Sequence, residues 1–282
     1  MKNLNLTIGE AQRMIDRARV YYNNKPLLAK NALVSGTIEV VIYKPLSKGL
    51  KPLFEESDFV LFDKPSGVLA HPAGRKTNYS LTDEVLHLYG PKAHIVHRLD
   101  RETSGLILVA KNRATEVELK NSFENRSVKK SYLALVRGKL DKTIEIDAPL
   151  LNNQTYENLK QRMVIDSKGK SSQTKIVSIK FFPKQNMTLI EAFPFTGRQH
   201  QIRAHLFHVK HPIIGDPLYG VPLHISEAYL DKELDDGERL KWMGANRLLL
   251  HSHTLTFNYK NKNFFFRSGI GDIFLDSILS KK

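Results

Sequence analysis

The chain has no cysteine and a single tryptophan among its 282 residues. Without cysteine there is no thiol nucleophile, no disulfide and no cysteine-bound zinc, and a reducing cytoplasm is a permitted location. Long apolar runs are missing as well. No stretch approaches the roughly 18 residues that a membrane helix needs, and Met1 to Glu10 lacks the apolar centre of a signal peptide, so the expectation is a soluble cytoplasmic protein with no membrane partner. Acidic residues are in deficit: 29 aspartates and glutamates face 43 lysines and arginines, a formal charge of +14. That imbalance favours association with polyanions such as a phosphate backbone.

Hydrophobic residues make up 41% of the chain, enough for one large core carrying a small appendage. Residues 1–50 read as the appendage: a helix around Ile8 to Ala18, a short strand at Val20 to Tyr22, a polar turn at Asn23-Asn24-Lys25 and a last strand at Thr37 to Tyr43. Lys44-Pro45 and Lys51-Pro52 bracket Leu46 to Leu50, a segment suited to a linker, and residues 51–282 form the larger domain. Strands are expected there at Phe59 to Phe62, Gly105 to Ala110, Lys130 to Val136, Lys175 to Phe181, Thr188 to Phe193, Thr254 to Tyr259 and Phe264 to Arg267. Helices are expected at Leu81 to Leu88, Ala114 to Phe123 and Gln199 to Phe207. Several strands follow one another with no helix between, which favours an α+β domain with a mixed, largely antiparallel sheet. The acidic piece Asp231 to Glu238 reads as a surface excursion.

The stretch His97-Arg98-Leu99-Asp100-Arg101-Glu102-Thr103-Ser104-Gly105-Leu106 sets a carboxylate between two arginines, ahead of an apolar strand. A carboxylate among cations stays ionised and is available as a nucleophile or base. The stretch resembles the active-site motif of the RluA-like pseudouridine synthases, which modify large ribosomal and transfer RNA. Four further segments resemble that family in the same order: Phe59 to Gly74 with Asp63-Lys64-Pro65-Ser66-Gly67, Val128 to Gly138 around Tyr132, Thr196 to Arg203, and His211 to Gly220. Residues 8 to 45 resemble, less closely, an S4-like RNA-binding module, with Ala18 where a glycine is usual.

The resemblance implies an isomerase that detaches uracil through N1, turns it and rejoins it through C5, a redox-neutral reaction for which no cofactor or metal is expected. Asp100 would attack C1′ or take a sugar proton, Tyr132 would stack on the uracil and help remove the C5 proton, and Arg203 would pair with Asp100. Arg98 would enter the space vacated by a flipped base. Lys64, Lys129 and Arg198 would support the pocket or meet phosphate, with Arg75, Lys76, Arg126 and Lys139 as further backbone contacts. Asp216 reads as a fold residue. The expected substrate is structured RNA, 23S ribosomal RNA before transfer RNA, and the expected protein is a monomer.

Competing signals are weaker. Gly169-Lys170-Ser171-Ser172 matches the tail of a phosphate-binding loop, yet Val164 stands in place of its first glycine. His200, His205, His208 and His211 crowd together without cysteine, and Arg198 and Arg203 oppose a cation beside them. A glycosidase wants two cooperating carboxylates, and Glu102, two residues from Asp100, is expected to point elsewhere. A non-catalytic RNA-binding module has no use for the aspartate, tyrosine and arginine together.

Overall fold

Residues 6–73, 77–152, 159 and 162–269 are described by a computed structural model. The chain divides into two compact units, Met1–Pro45 and Leu46–Lys282. The segment 46–50 thus belongs to the larger unit, and the reason is electrostatic. Ser47 Oγ donates to Glu84 at 2.6 Å and the Lys48 amide at 2.8 Å, which ties the segment to a helix start.

In the first unit, α1 (Ile8–Asp16) opens on a capping box in which Thr7 and Glu10 satisfy each other's backbone amides, at 3.3 and 2.8 Å. β1 (Val20–Tyr22) and β2 (Lys25–Pro26) form a hairpin whose two loop residues, Asn23 and Asn24, both have positive φ, as the tight primed turn demands. β3 covers only Glu39–Val40, shorter than the sequence suggests. Its partner β1 is three residues long and offers no ladder for the rest. Ala18 occupies the left-handed region at φ 50, the conformation that glycine adopts without penalty and alanine does not.

The second unit holds one large sheet. Its strands are β4 (Phe54–Glu55), β5 (Phe59–Lys64), β6 (His94–Ile95), β7 (Ser104–Ala110), β8 (Lys129–Arg137), β9 (Ile144–Asp147), β12 (Gln173–Phe182), β13 (Met187–Pro194), β14 (Leu250–Tyr259) and β15 (Lys262–Arg267). β10 (Leu150–Asn152) and β11 (Met163–Ile165) pair separately. Helices α2 (Leu81–Tyr89), α3 (Arg113–Glu124), α4 (Gln201–His208), α5 (Leu223–Leu230) and α6 (Asp236–Met243) complete it. The sheet runs β4-β5-β7-β14-β8-β13-β12-β9, with β15 on β14 and β6 on β7. Every pairing in it is antiparallel except β7 with β14, so the architecture is α+β with a mixed, largely antiparallel sheet. The acidic piece near Asp231 is not only an excursion: Asp235 accepts the Glu238 amide at 2.8 Å and caps α6. No helix among the described residues is long and apolar enough to cross a membrane.

The parallel seam joins the two halves of the sheet through Ser104 with His251 and Gly105 with Ser252. It lies one residue past the turn that carries Asp100, and there the backbones approach so closely that a Cβ on Gly105 would run into the Ser252 carbonyl and sit 2.6 Å from its amide nitrogen. Gly105 also has φ 108. Gly105→Ala is therefore expected to cost about 3 kcal/mol or more, read as a drop in the urea midpoint, with activity lost in proportion to the seam's displacement.

Candidate active site

Three pieces of chain converge at the seam. The first is the turn before β7, closed by the Thr103 amide on the Asp100 carbonyl at 3.1 Å. Lys64, at the end of β5, underpins it. Its fully buried ammonium donates to the carbonyls of Pro65, Val68 and Arg101 at 2.9, 2.7 and 3.1 Å, while Ser66 Oγ donates to the Glu102 carbonyl at 2.7 Å. All three Lys64 protons are thereby used, and none remains for a phosphate. Burial draws its pKa down to about 8 against the opposing pull of Asp100, Glu102 and Asp63. Glu102 turns away to accept from Tyr229 and Arg239, each at 2.7 Å, so the turn is also bolted to α5 and α6.

α4 supplies the second piece. Its N-terminal approach, 196–200, is organised by Gln201, whose carboxamide oxygen accepts from Thr196 Oγ1 at 2.7 Å and the Arg198 amide at 3.0 Å while its nitrogen donates to the Gln173 carbonyl and Thr174 Oγ1. One turn on, Arg203 is 3% exposed. Its Nε and Nη2 donate to the two oxygens of Asp216 at 2.8 and 2.9 Å, and Nη1 donates to Asp100 Oδ2 at 3.2 Å. Asp216 Oδ1 accepts in addition from the amides of Leu218 and Tyr219. Arg203 is thus gripped from behind and offers its remaining edge to Asp100. Burial works against the Arg203 charge, yet Asp216 and Asp100 more than offset it and raise its pKa.

β8 is the third piece, and its alternation decides which side chains face the site. Val128, Lys130 and Tyr132 line a cavity of about 680 Å³ together with Arg98, Asp100, Arg126, Arg198, His200 and Arg203. Lys129 lies on the opposite face of the strand, exposed and outside the cavity, so Lys130 takes the place expected for Lys129. Lys130 Nζ sits 5.9 Å over the Phe123 ring, and burial lowers its pKa. Burial and the Asp100 charge raise the Tyr132 pKa against a hydrogen bond with Ser252, so its hydroxyl stays protonated at neutral pH.

Burial would raise the Asp100 pKa, but His200, Arg203 and Arg98 prevail and hold it below the usual carboxylate range. His200 is itself pushed down to about 4, by burial first and Arg203 next, against Asp100 and Asp216, with Arg98 adding to the depression. At neutral pH the imidazole is uncharged, which leaves Arg203 and Arg98 as the cations that keep Asp100 ionised.

Of the residues nominated from sequence, Asp100, Tyr132, Arg203, Arg98 and Arg198 meet around this cavity; Lys64 lies beneath it as a clamp, and Lys129 lies outside. Arg126 is on its rim, Lys139 is paired with Asp141 at 3.3 Å, and Gly74, Arg75 and Lys76 fall outside the described residues. Sequence patterns do not single out His200, Lys130 or the grip of Asp216 on Arg203. For Lys130 the signal is nonetheless present, since it shares the Tyr132 face by simple alternation.

Comparison with known proteins places the chain in a family. Residues 58–208 match the family model for RNA pseudouridylate synthase. An uncharacterised RNA pseudouridine synthase of Helicobacter pylori is 36% identical over 273 residues, covering 96% of this chain and 90% of the relative. The ribosomal large subunit pseudouridine synthase C of Buchnera aphidicola is 36% identical over 227 residues, 79% of this chain and 67% of its own length. Among solved structures, human RNA pseudouridylate synthase domain containing 1 superposes with a TM-score of 0.64 at 26% identity, covering 84% of this chain and 90% of that one. An enzyme that isomerises uridine in RNA is what these likenesses describe, and the chain belongs to the RluA-like family of RNA pseudouridine synthases.

Proposed function

We propose that the protein converts uridine to pseudouridine in large-subunit ribosomal RNA, with Asp100 as the reacting carboxylate. The observation that carries this reading is the placement of Asp100: its carboxyl faces a basic cavity, is kept ionised, and is held by Arg203 through one oxygen. An ionised aspartate so placed attacks C1′ or takes a sugar proton, and either step releases uracil through N1. The neutral Tyr132 ring forms the wall on which the detached base stacks, and its hydroxyl relays the C5 proton after the base has turned. Exposed Arg98, which has no hydrogen bond among the described residues, fills the gap left by a flipped nucleotide. Lys130 and Arg198 meet the backbone phosphates. Relatives of this chain include synthases C and D of the ribosomal large subunit, which favours that RNA over transfer RNA. Residues 1–45 are assigned an S4-like role in binding RNA, through Arg13, Arg17 and Arg19.

Asp100→Asn is expected to keep RNA affinity and lower the single-turnover rate by roughly a thousandfold or more; a rate within tenfold of the parent rejects the assignment. RNA from a strain lacking the protein, mapped for pseudouridine at single-nucleotide resolution before and after addition of the enzyme, identifies the target, and a signal only in transfer RNA overturns the ribosomal reading.

Arg203→Lys keeps the charge but loses the fork. Because the Asp100 pKa is depressed by its cations, activity is present above that pKa and lost as pH falls through it; weaker pairing raises the pKa, so the acid limb of the rate profile should move to higher pH. An unmoved limb in a folded variant contradicts the pairing role. Replacing Arg13, Arg17 and Arg19 together by alanine should reduce the salt dependence of RNA binding by about one unit of slope for each phosphate no longer neutralised, while the single-turnover rate at saturating RNA is unchanged. An unchanged slope would make this unit structural.

A further inference from the structure

Asp100 meets its two nearest nitrogen partners through a single oxygen. Arg203 Nη1 lies 3.2 Å from Oδ2 and His200 Nε2 lies 3.7 Å from the same atom, while Oδ1 has no hydrogen bond among the described residues. His200 precedes α4 in the left-handed conformation, φ 50 and ψ 18, which sets its ring edge-on to Tyr219 at 5.9 Å between centroids and 88° between planes. Its Nδ1 is 3.3 Å from the Tyr219 hydroxyl. That hydroxyl already accepts the Met163 amide at 2.8 Å and also lies 3.2 Å from the Met163 carbonyl.

The single proton of Tyr219 decides the tautomer of His200. If it goes to the Met163 carbonyl, His200 must donate from Nδ1, and a bare Nε2 lone pair then faces an ionised carboxylate. If it goes to His200 Nδ1, the imidazole carries its proton on Nε2 and presents a donor to Asp100. The second arrangement replaces a repulsive contact with an attractive one beside a charged group. We propose that His200 is a positioning residue: as its Nε2–H tautomer, selected by Tyr219, it holds Asp100 with Arg203 by Oδ2 and so leaves Oδ1 as the oxygen presented to the ribose. The inference rests on the reading of Asp100 as the reacting carboxylate. The separation of 3.7 Å is longer than a formed hydrogen bond, and catalytic contacts are commonly this long before substrate is bound.

Charged and titratable groups surround the pair. His200 faces Arg203, Asp100, Asp216, Arg98 and Tyr219, and Asp100 faces His200, Arg203, Arg98, Lys64 and Tyr132. Among the described residues no second carboxylate lines the cavity beside Asp100 except Glu124, which belongs to α3.

The test reads the tautomer directly. Nitrogen NMR of the full chain labelled with ¹⁵N-histidine, with the His200 signals assigned by their disappearance in His200→Gln, should show a protonated Nε2 and an unprotonated Nδ1 at neutral pH; a protonated Nδ1 overturns the proposal. In single-turnover assays at saturating RNA, His200→Leu should slow the reaction roughly ten- to hundredfold, the size of one hydrogen bond to a charged group, and move the acid limb upward without changing RNA affinity. His200→Gln, which presents a side-chain N–H, should recover most of the rate. An unchanged rate and limb in His200→Leu, alongside an inactive Asp100→Asn, rejects the role of His200 alone. An active Asp100→Asn instead rejects the reading of Asp100 on which it rests. If His200→Leu does not fold, the NMR result on the parent protein decides.

Discussion

Arg203 between Asp216 and Asp100 is the interaction on which the site depends. Asp216 takes both donors of the Nε–Nη2 edge of the guanidinium and two backbone amides at once, so the arginine has one position, and Asp100 is placed by what remains. Two carboxylates and one guanidinium buried together would be costly if any hydrogen bond were left open, and breaking such a group by removing one partner typically costs about 3–5 kcal/mol. The geometry here leaves Asp216 and Arg203 well satisfied and gives Asp100 a single firm contact. On the proposed reading of Asp100, a group that must react is thereby held by one that need not move.

The same division of roles governs the surroundings. Around the cavity, Arg98, Arg126, Lys130 and Arg198 leave the walls positive, which accommodates a polyanion, and Arg98 also helps Arg203 to keep Asp100 ionised. Lys64 and Glu102, charged residues close to Asp100 in the sequence motifs, face elsewhere: one is saturated by carbonyls beneath the turn, the other is fastened to Tyr229 and Arg239. They fasten the turn that carries Asp100, whereas Arg98 beside it is exposed and has no hydrogen bond among the described residues.

Local patterns carried much of this in the sequence. The strands from Phe59, Gly105, Lys130, Thr188 and Thr254 and the helices at Leu81, Ala114 and Gln199 all form, because each has a sustained apolar period and the motif residues lie at their ends. What escaped depends on contacts distant in sequence or on local geometry. The role of Lys64 is set by three carbonyls that only the folded turn brings together. Lys129 and Lys130 are indistinguishable by composition and opposite by strand phase. α5 and α6 lie outside the motif segments, and α6 contains Gly237, whereas α4, also eight residues long, is marked by the motif segment 196–203. His200 shows nothing in sequence of its left-handed backbone, and that backbone is what aims its ring.

The separation of the paired residues along the chain also orders their assembly. Arg203 and Asp216 are 13 positions apart, whereas Arg203 and Asp100 are 103 apart. On loop-closure entropy alone the longer contact costs about 2 kcal/mol more to form. The arginine is thus gripped within its own segment first, while the aspartate arrives with the half of the sheet that must cross the parallel seam. Until that crossing is complete Asp100 lacks its guanidinium partner, so the ion pair at the cavity is finished only when the two halves of the sheet meet.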